Sequence, residues 1–269
     1  MTDHKKKERL DPQDSALPGI FGSYERFLRR FKVLSSMTIL IPVYFVGVAC
    51  FGLSLAPGAM LLIEAHSRLA GSELWIKGLA YGLCGGLGFL FFGISLLFIL
   101  PLCNFLLRAK PVPWRGPYYS LHTIRWAMHN IFTYIMRFTF LEFMTPTPLN
   151  VLFYRMMGMK IGKGVQINTT HISDPCLIEI GNHVTIGGSA TIVGHYGQGG
   201  FLVLGPVKIG SDVTIGLRAI ILGDVEIGDH AKILPNSVLL PKTRVPAGEI
   251  WGGIPAAKLK DILKEKNVT

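Results

Sequence analysis

The sequence predicts a two-part protein: an N-terminal transmembrane helical hairpin with an interfacial helix, followed by a C-terminal parallel solenoid of six-residue units. Three observations carry this. Hydrophobic residues make up 49% of the chain, and they are concentrated in two long uncharged runs before residue 101. Lys and Arg residues crowd the outer flanks of those runs. From Ile161 onward large aliphatic residues recur at six-residue intervals, with two interruptions.

Residues 1–32 read as a basic cytoplasmic segment, with Lys5, Lys6, Lys7, Arg9, Arg26, Arg29, Arg30 and Lys32. Residues 33–100 read as the hairpin. Val33 to Ala56 and Gly78 to Leu100 carry no charge, and each is long enough to cross a hydrocarbon core of about 30 Å as a helix. Pro42 and the cluster Gly82, Gly85, Gly86 and Gly88 would weaken soluble helices. In lipid, small residues let neighbouring helices approach closely. A buried soluble hairpin is the competing reading, and it fits the length and lack of charge less well. Between the runs Glu64, Arg68, Glu73 and Lys77 balance, whereas Arg108, Lys110, Arg115, Arg125 and Arg137 follow the second run. The basic outer flanks therefore set both ends in the cytoplasm, giving a multi-pass protein of the inner (plasma) membrane with its second half facing the cytoplasm. The first run starts near Val33 with no small-x-small site after it, so no cleavable leader is expected.

The formal net charge of +10 raises nucleic acid as a partner, but the basic residues flank apolar runs and no nucleic-acid-reading motif accompanies them. Nucleic acid is excluded on that ground. Cys50, Cys84, Cys103 and Cys176 form neither a CxxC pair nor a cluster with histidine at zinc-ligand spacing, so neither a disulfide framework nor a metal site is predicted.

Residues 101–157 read as an amphipathic interfacial linker. PVPWRGP at 111–117 predicts a stiff turn. Over 118–144 His122, Arg125, His129, Thr133 and Arg137 recur at spacings of three and four, which draws one polar stripe down a helix and turns it toward headgroups. A third crossing is the alternative, opposed by the roughly 2.5–3.5 kcal/mol cost of Arg at the bilayer centre.

Residues 158–256 hold the repeats. Ile161, Ile167, Ile180, Ile186, Ile192, Ile209, Ile215, Ile221, Ile227, Ile233, Leu239 and Val245 share one phase, commonly followed by Gly. Four positions after such residues come small or β-branched ones, including Val184, Ala190, Val213, Ala219, Val225, Ala231 and Ser237. One large and one small inward residue per unit makes a short strand and a turn, and only stacked units bury a continuous core. Residues 257–269, with DILKEKN, read as a C-terminal capping helix over the open end.

These repeats resemble the hexapeptide-repeat acyltransferases. The resemblance runs closest to the galactoside, maltose and xenobiotic O-acetyltransferases at VTIGGSATIVGH, PVKIGSDVTIGLRAIIL and GGIPAAK. With ISDPCLIEIG and LGPVKIG, the basic apolar N-terminal half is similar to the membrane-embedded terminal region of ε-poly-lysine-synthetase-type proteins. The resemblance implies a left-handed β-helix, a homotrimer, and acetyl-CoA or another short acyl-CoA as cosubstrate. It also implies a small-molecule or lipid-linked acceptor held at the membrane lipid bilayer.

Where the period breaks, VGHYGQGGFLVLGP intrudes, and His195 in its Gly-His matches the family's catalytic histidine. A neutral imidazole can take the proton from an attacking hydroxyl or amine. NTTHISDP also breaks the period and resembles the acceptor-binding segment, which points to Asn168, His171 and Asp174, with Tyr196 beside the histidine. Turn formation before Pro175 explains the same Asn and Asp equally well. The cofactor surface implied is Gly216, Leu217, Arg218, Pro235, Asn236, Pro241, Lys242, Gly253 and Lys258. The family places its basic residue directly after Pro-Ala, whereas Ala257 stands there and Lys258 follows one step later.

Two other classes compete. His171, His183 and His195 recur every twelve residues, as a zinc-dependent γ-carbonic anhydrase reading would exploit, yet the closely spaced histidine pair of that family is missing. A non-catalytic trimeric membrane scaffold of a biosynthetic complex would need neither the Gly-His loop nor the GGIPA turn, and both are present.

Overall fold

The computed structural model describes residues 15 and 17–260. Lys5, Lys6, Lys7 and Arg9 and the DILKEKN segment lie outside the described residues.

Helix α1 (Gly19–Arg30) precedes two long helices, α2 (Lys32–Arg68) and α3 (Leu74–Leu106). At 1.5 Å per residue these two run to about 50–55 Å, further at each loop end than the uncharged runs alone predict. Both are long and apolar enough to cross a membrane. Side chains such as Phe45, Val48, Ile63 and Trp75 are exposed on them, which a hairpin buried inside a soluble core would not leave. Of the expected glycine cluster, only Gly88 makes a close approach. A Cβ on Gly58 would meet the Gly88 Cα at 2.8 Å, while Gly82, Gly85 and Gly86 meet nothing within 4 Å.

The basic segment before α2 is more than a charged leader. Glu25 of α1 is buried, pairs with Arg29 at 3.1 Å and accepts the backbone N–H of Leu121 at 3.4 Å. Arg29 donates to the Tyr119 carbonyl at 3.3 Å. Helix α1 is thereby tied to the start of α4 (Leu121–Met136), which Ser120 caps by accepting from Thr123 N. The stripe predicted to face headgroups turns partly inward: His129 and Thr133 are fully buried, and His129 Nδ1 lies 2.9 Å from Asn104 Oδ1 of α3. A polar group at mid-helix is stable there because it finds a partner, which periodicity alone does not reveal. After α4 the chain makes a π turn, Arg137–Leu141, whose Phe140 ring packs on Gly93 where any Cβ would overlap it.

Helix α5 (Pro148–Met156) starts at Thr147, which accepts from Leu149 N, with Pro148 in the first turn, where its missing N–H costs nothing. Asn150 donates to the Ile167 carbonyl at 2.8 Å, so α5 closes the first end of the solenoid.

The repeats build three parallel sheets. In register, Ile161, Ile180, Ile209, Ile227 and Val245 stack on one face. Ile167, Ile186, Ile215, Ile233 and Trp251 stack on the second. Ile172, Ile192, Ile221 and Leu239 stack on the third. The small residues Val184, Ala190, Val213, Ala219, Val225, Ala231 and Ser237 are fully buried between them. Short turns at the corners require left-handed backbone, and non-glycine residues supply it at His183, Asp212, Arg218, Asp224, His230, Asn236 and Lys242. Three sheets of two- to four-residue parallel strands around one core fit a left-handed β-helix. At its far end Ile250–Gly253 folds back antiparallel on Ala256–Lys258, so Ala257 and Lys258 lie in a strand and not at the start of a helix.

The intruding loop is a hairpin. His195–Gln198 pairs with Phe201–Leu204 across Gly199 and Gly200, both at positive φ. Trp114–Pro117, predicted as a turn, adds a third strand, with Arg115 opposite Val203. Pro and Gly are tolerated in it because it is an edge strand.

Candidate active site

His195 begins the hairpin, and its approach depends on Gly194. A Cβ there would sit 2.9 Å from Leu177 Cβ and 3.0 Å from Asp174 Cβ. The close passage brings His195 Nδ1 to 2.5 Å from Asp174 Oδ2. Asp174 is completely buried, at a left-handed φ of 58° before Pro175. A carboxylate oxygen accepts, so this contact suits an imidazole with its N–H on Nδ1 and leaves Nε2 outside the pair. The His195 side chain keeps 25% of its surface exposed.

Asp174 therefore stands behind His195, not on an open surface. Its other oxygen, Oδ1, accepts from Asn130 Nδ2 at 2.6 Å. Trp126, one turn before Asn130 on α4, sets its ring edge-on to His195 at 5.0 Å between centroids. Neither Trp126 nor Asn130 is predicted as a site residue. The signal that could find them is the four-residue spacing Trp126, Asn130, Tyr134, since the Tyr134 hydroxyl also reaches the same segment, 3.2 Å from Ser173 Oγ.

The other expected acceptor residues are dispersed. His171 lies 3.4 Å from Thr169 Oγ1, and burial with the nearby Arg137 charge holds its pKa below the usual value. Asn168 is exposed at a different corner of the coil. Tyr196 follows His195 in the strand, with burial and Asp224 raising its phenol. Cys176 offers no nucleophile, because burial and Asp174 push its thiol up to about 12.

The expected cofactor residues occupy two edges of the prism. Gly216, Leu217 and Arg218 lie directly under Pro235 and Asn236, where a Cβ on Gly216 would meet Pro235 N at 2.4 Å and Asn236 N donates to the Leu217 carbonyl at 2.9 Å. Gly252, next to Gly253, continues that column against Leu234. Lys242, following Pro241, instead donates its N–H to the Asp224 carbonyl at 2.9 Å, beside Gly223, which stacks on His195. Lys258 is ion-paired with Glu249 and draws that carboxyl below its usual range.

The three evenly spaced histidines do not converge. His195 engages Asp174, His183 lies 3.7 Å from Asp212, and His171 faces Thr169. Among the described residues no group of three or more His, Cys, Asp or Glu side chains could hold a metal ion.

The second half is thus a three-sided solenoid of six-residue coils, interrupted by a hairpin that presents a histidine on a buried aspartate. Residues 204–241 match the family described as bacterial transferase hexapeptide (six repeats). The chain is 23% identical over 205 residues to the δ-poly-L-ornithine synthetase of Acinetobacter baumannii, covering 76% of this chain and 15% of that protein. That stretch is longer than the repeat half, so it reaches into the helical half and fits the similarity to poly-lysine-synthetase-type terminal regions. Gamma carbonic anhydrase 2 of Arabidopsis thaliana is 32% identical over 114 residues, covering 40% of this chain and 37% of that one. The chain thus spans well under half the length of either relative. The solved maltose O-acetyltransferase of Clostridium difficile 630 gives a TM-score of 0.41 at 16% identity, over 55% of this chain and 91% of its own.

Proposed function

We propose that the protein is a membrane-anchored, acyl-CoA-dependent acyltransferase, moving an acetyl or other short acyl group to a hydroxyl or amine of a membrane-associated or lipid-linked acceptor. The observation that carries this is the His195–Asp174 pair, with Nδ1 engaged at 2.5 Å and Nε2 left free. Nε2 removes the acceptor proton as the acceptor oxygen or nitrogen attacks the thioester carbonyl. The tetrahedral adduct then collapses, the C–S bond breaks, and the imidazolium returns its proton to the departing coenzyme A sulfur. Asp174 holds the imidazole in one tautomer and stabilises the transient positive charge.

The cofactor lies along the corners at Gly216–Arg218, Pro235, Asn236, Pro241, Lys242 and Gly253, with Lys258 near the phosphates. Most of these sit on a different edge from His195, which supports a homotrimer in which one chain's corner faces its neighbour's histidine. Helices α2 and α3 span the membrane with both ends in the cytoplasm, where acyl-CoA is available.

A second reading, a non-catalytic scaffold, is favoured by the match to a 15% portion of a much larger synthetase. Thermal melting with acetyl-CoA separates the two. At 100 times its dissociation constant a ligand adds about 2.7 kcal/mol to the native state, so an enzyme melts higher and a scaffold lacking the site does not move.

A further inference from the structure

The geometry points to Asn130 of α4 as a positioning residue for the His195–Asp174 pair, so that the helical half sets the state of the base and does more than anchor the solenoid. This rests on the acyltransferase reading for its consequence, but not for its geometry. Asn130 holds Asp174 at two points: its Nδ2 donates to Asp174 Oδ1 at 2.6 Å, and its Oδ1 accepts the Asp174 N–H at 3.2 Å. Both residues are buried. A buried carboxylate is stable only if its oxygens are satisfied, and here His195 takes one and Asn130 the other. With Oδ1 committed to Asn130, only Oδ2 remains for the imidazole, which fixes both ring orientation and tautomer.

Asn130 is itself held. Its Nδ2 also donates to the Trp126 carbonyl at 3.1 Å, and the Trp126 ring meets His195 edge-on. The preceding residue, His129, bonds Asn104 of α3. A chain of contacts therefore runs from α3 through α4 to the base. The amide suits this task because it is a donor and an acceptor together; Asp would offer no donor and Leu neither group.

The test uses the full-length protein in detergent, labelled with 15N-histidine, with His195→Gln identifying the His195 signals. The wild type is expected to show one tautomer, protonated at Nδ1 and bare at Nε2. Asn130→Ala should show both tautomers in exchange. Asn150→Ala removes a comparable buried amide whose bond goes to Ile167 at the solenoid end, and it should keep the single tautomer. If Asn130→Ala does not fold, Asn130→Leu, of similar size and with neither group, serves in its place and should also lose the single tautomer. In turnover, measured as coenzyme A release from acetyl-CoA, Asn130→Ala should lower kcat by about tenfold to a hundredfold, the range seen when a partner orienting an imidazole is removed, with KM for acetyl-CoA unchanged. An unaltered tautomer in Asn130→Ala, or an equal disturbance in Asn150→Ala, overturns the assignment. The tautomer measurement needs no acyl donor, so a responsive tautomer in a protein without turnover would sink the acyltransferase reading and leave the positioning role standing.

Discussion

Lowering the pH from 7 to 4 asks His129 to accept a proton that its site opposes. Burial is the main cause, with Lys110 adding repulsion and Asp174 partly offsetting both, and together they hold its pKa at about 4 against an ordinary 6.5. Between those values the unfolded chain binds the proton and the folded chain does not, so stability falls as pH drops through that window and levels off below about pH 4. The difference of roughly 2.5 pH units corresponds to about 3 kcal/mol at 1.36 kcal/mol per unit. For a protein of this size that is a fall in Tm of about 6–12 °C. Thermal melts of the wild type and His129→Gln, followed by circular dichroism from pH 7.5 to 4, isolate the effect, because every other titrating group is common to both. The stability advantage of the wild type over the variant should shrink by about 3 kcal/mol as the pH falls. Parallel pH profiles for the two proteins would refute the argument that a neutral, buried His129 bridges α3 and α4.

Other perturbations test separate links. Gly194→Ala forces a Cβ to 2.9 Å from Leu177 Cβ and 3.0 Å from Asp174 Cβ, so it should cost about 1–3 kcal/mol and displace the pair, whereas Gly85→Ala, with nothing within 4 Å, should be silent in the same melt. Native mass spectrometry in detergent should find a homotrimer, and an active monomer would end the idea of a site shared between chains. A reporter fused after Thr269 should work only if it functions in the cytosol; periplasmic activity would show an odd number of crossings.

The solenoid was legible in the sequence because one large and one small inward residue per six leaves a trace at every coil, from Ile161 to Val245. The hairpin was legible only as a break in phase at VGHYGQGGFLVLGP. Its third strand, Trp114–Pro117, was not, since Pro and Gly read as a turn and the partner Phe201–Leu204 lies far along the chain. On α4 the polar stripe through His129 and Thr133 was visible, but its direction was not. Whether a mid-helix polar residue faces headgroups or the interior depends on partners, here Asn104, that local periodicity does not encode. His195 was legible through its Gly-His context. Asp174 was visible as a candidate, yet its place behind the imidazole depends on a left-handed turn and on Asn130, contacts that exist only after folding.

His195, as the base of an acyl transfer, is the residue on which the proposed function depends. Coenzyme A release from acetyl-CoA, measured on the purified protein with membrane extract supplying acceptors, tests it most directly through His195→Ala, His171→Ala and His183→Ala. His195→Ala should lose about 10²- to 10⁴-fold in turnover while still binding acetyl-CoA, and the other two should stay near wild type. Near-normal turnover in His195→Ala, with loss in His171→Ala, would place the base in the NTTHISDP segment and contradict this assignment.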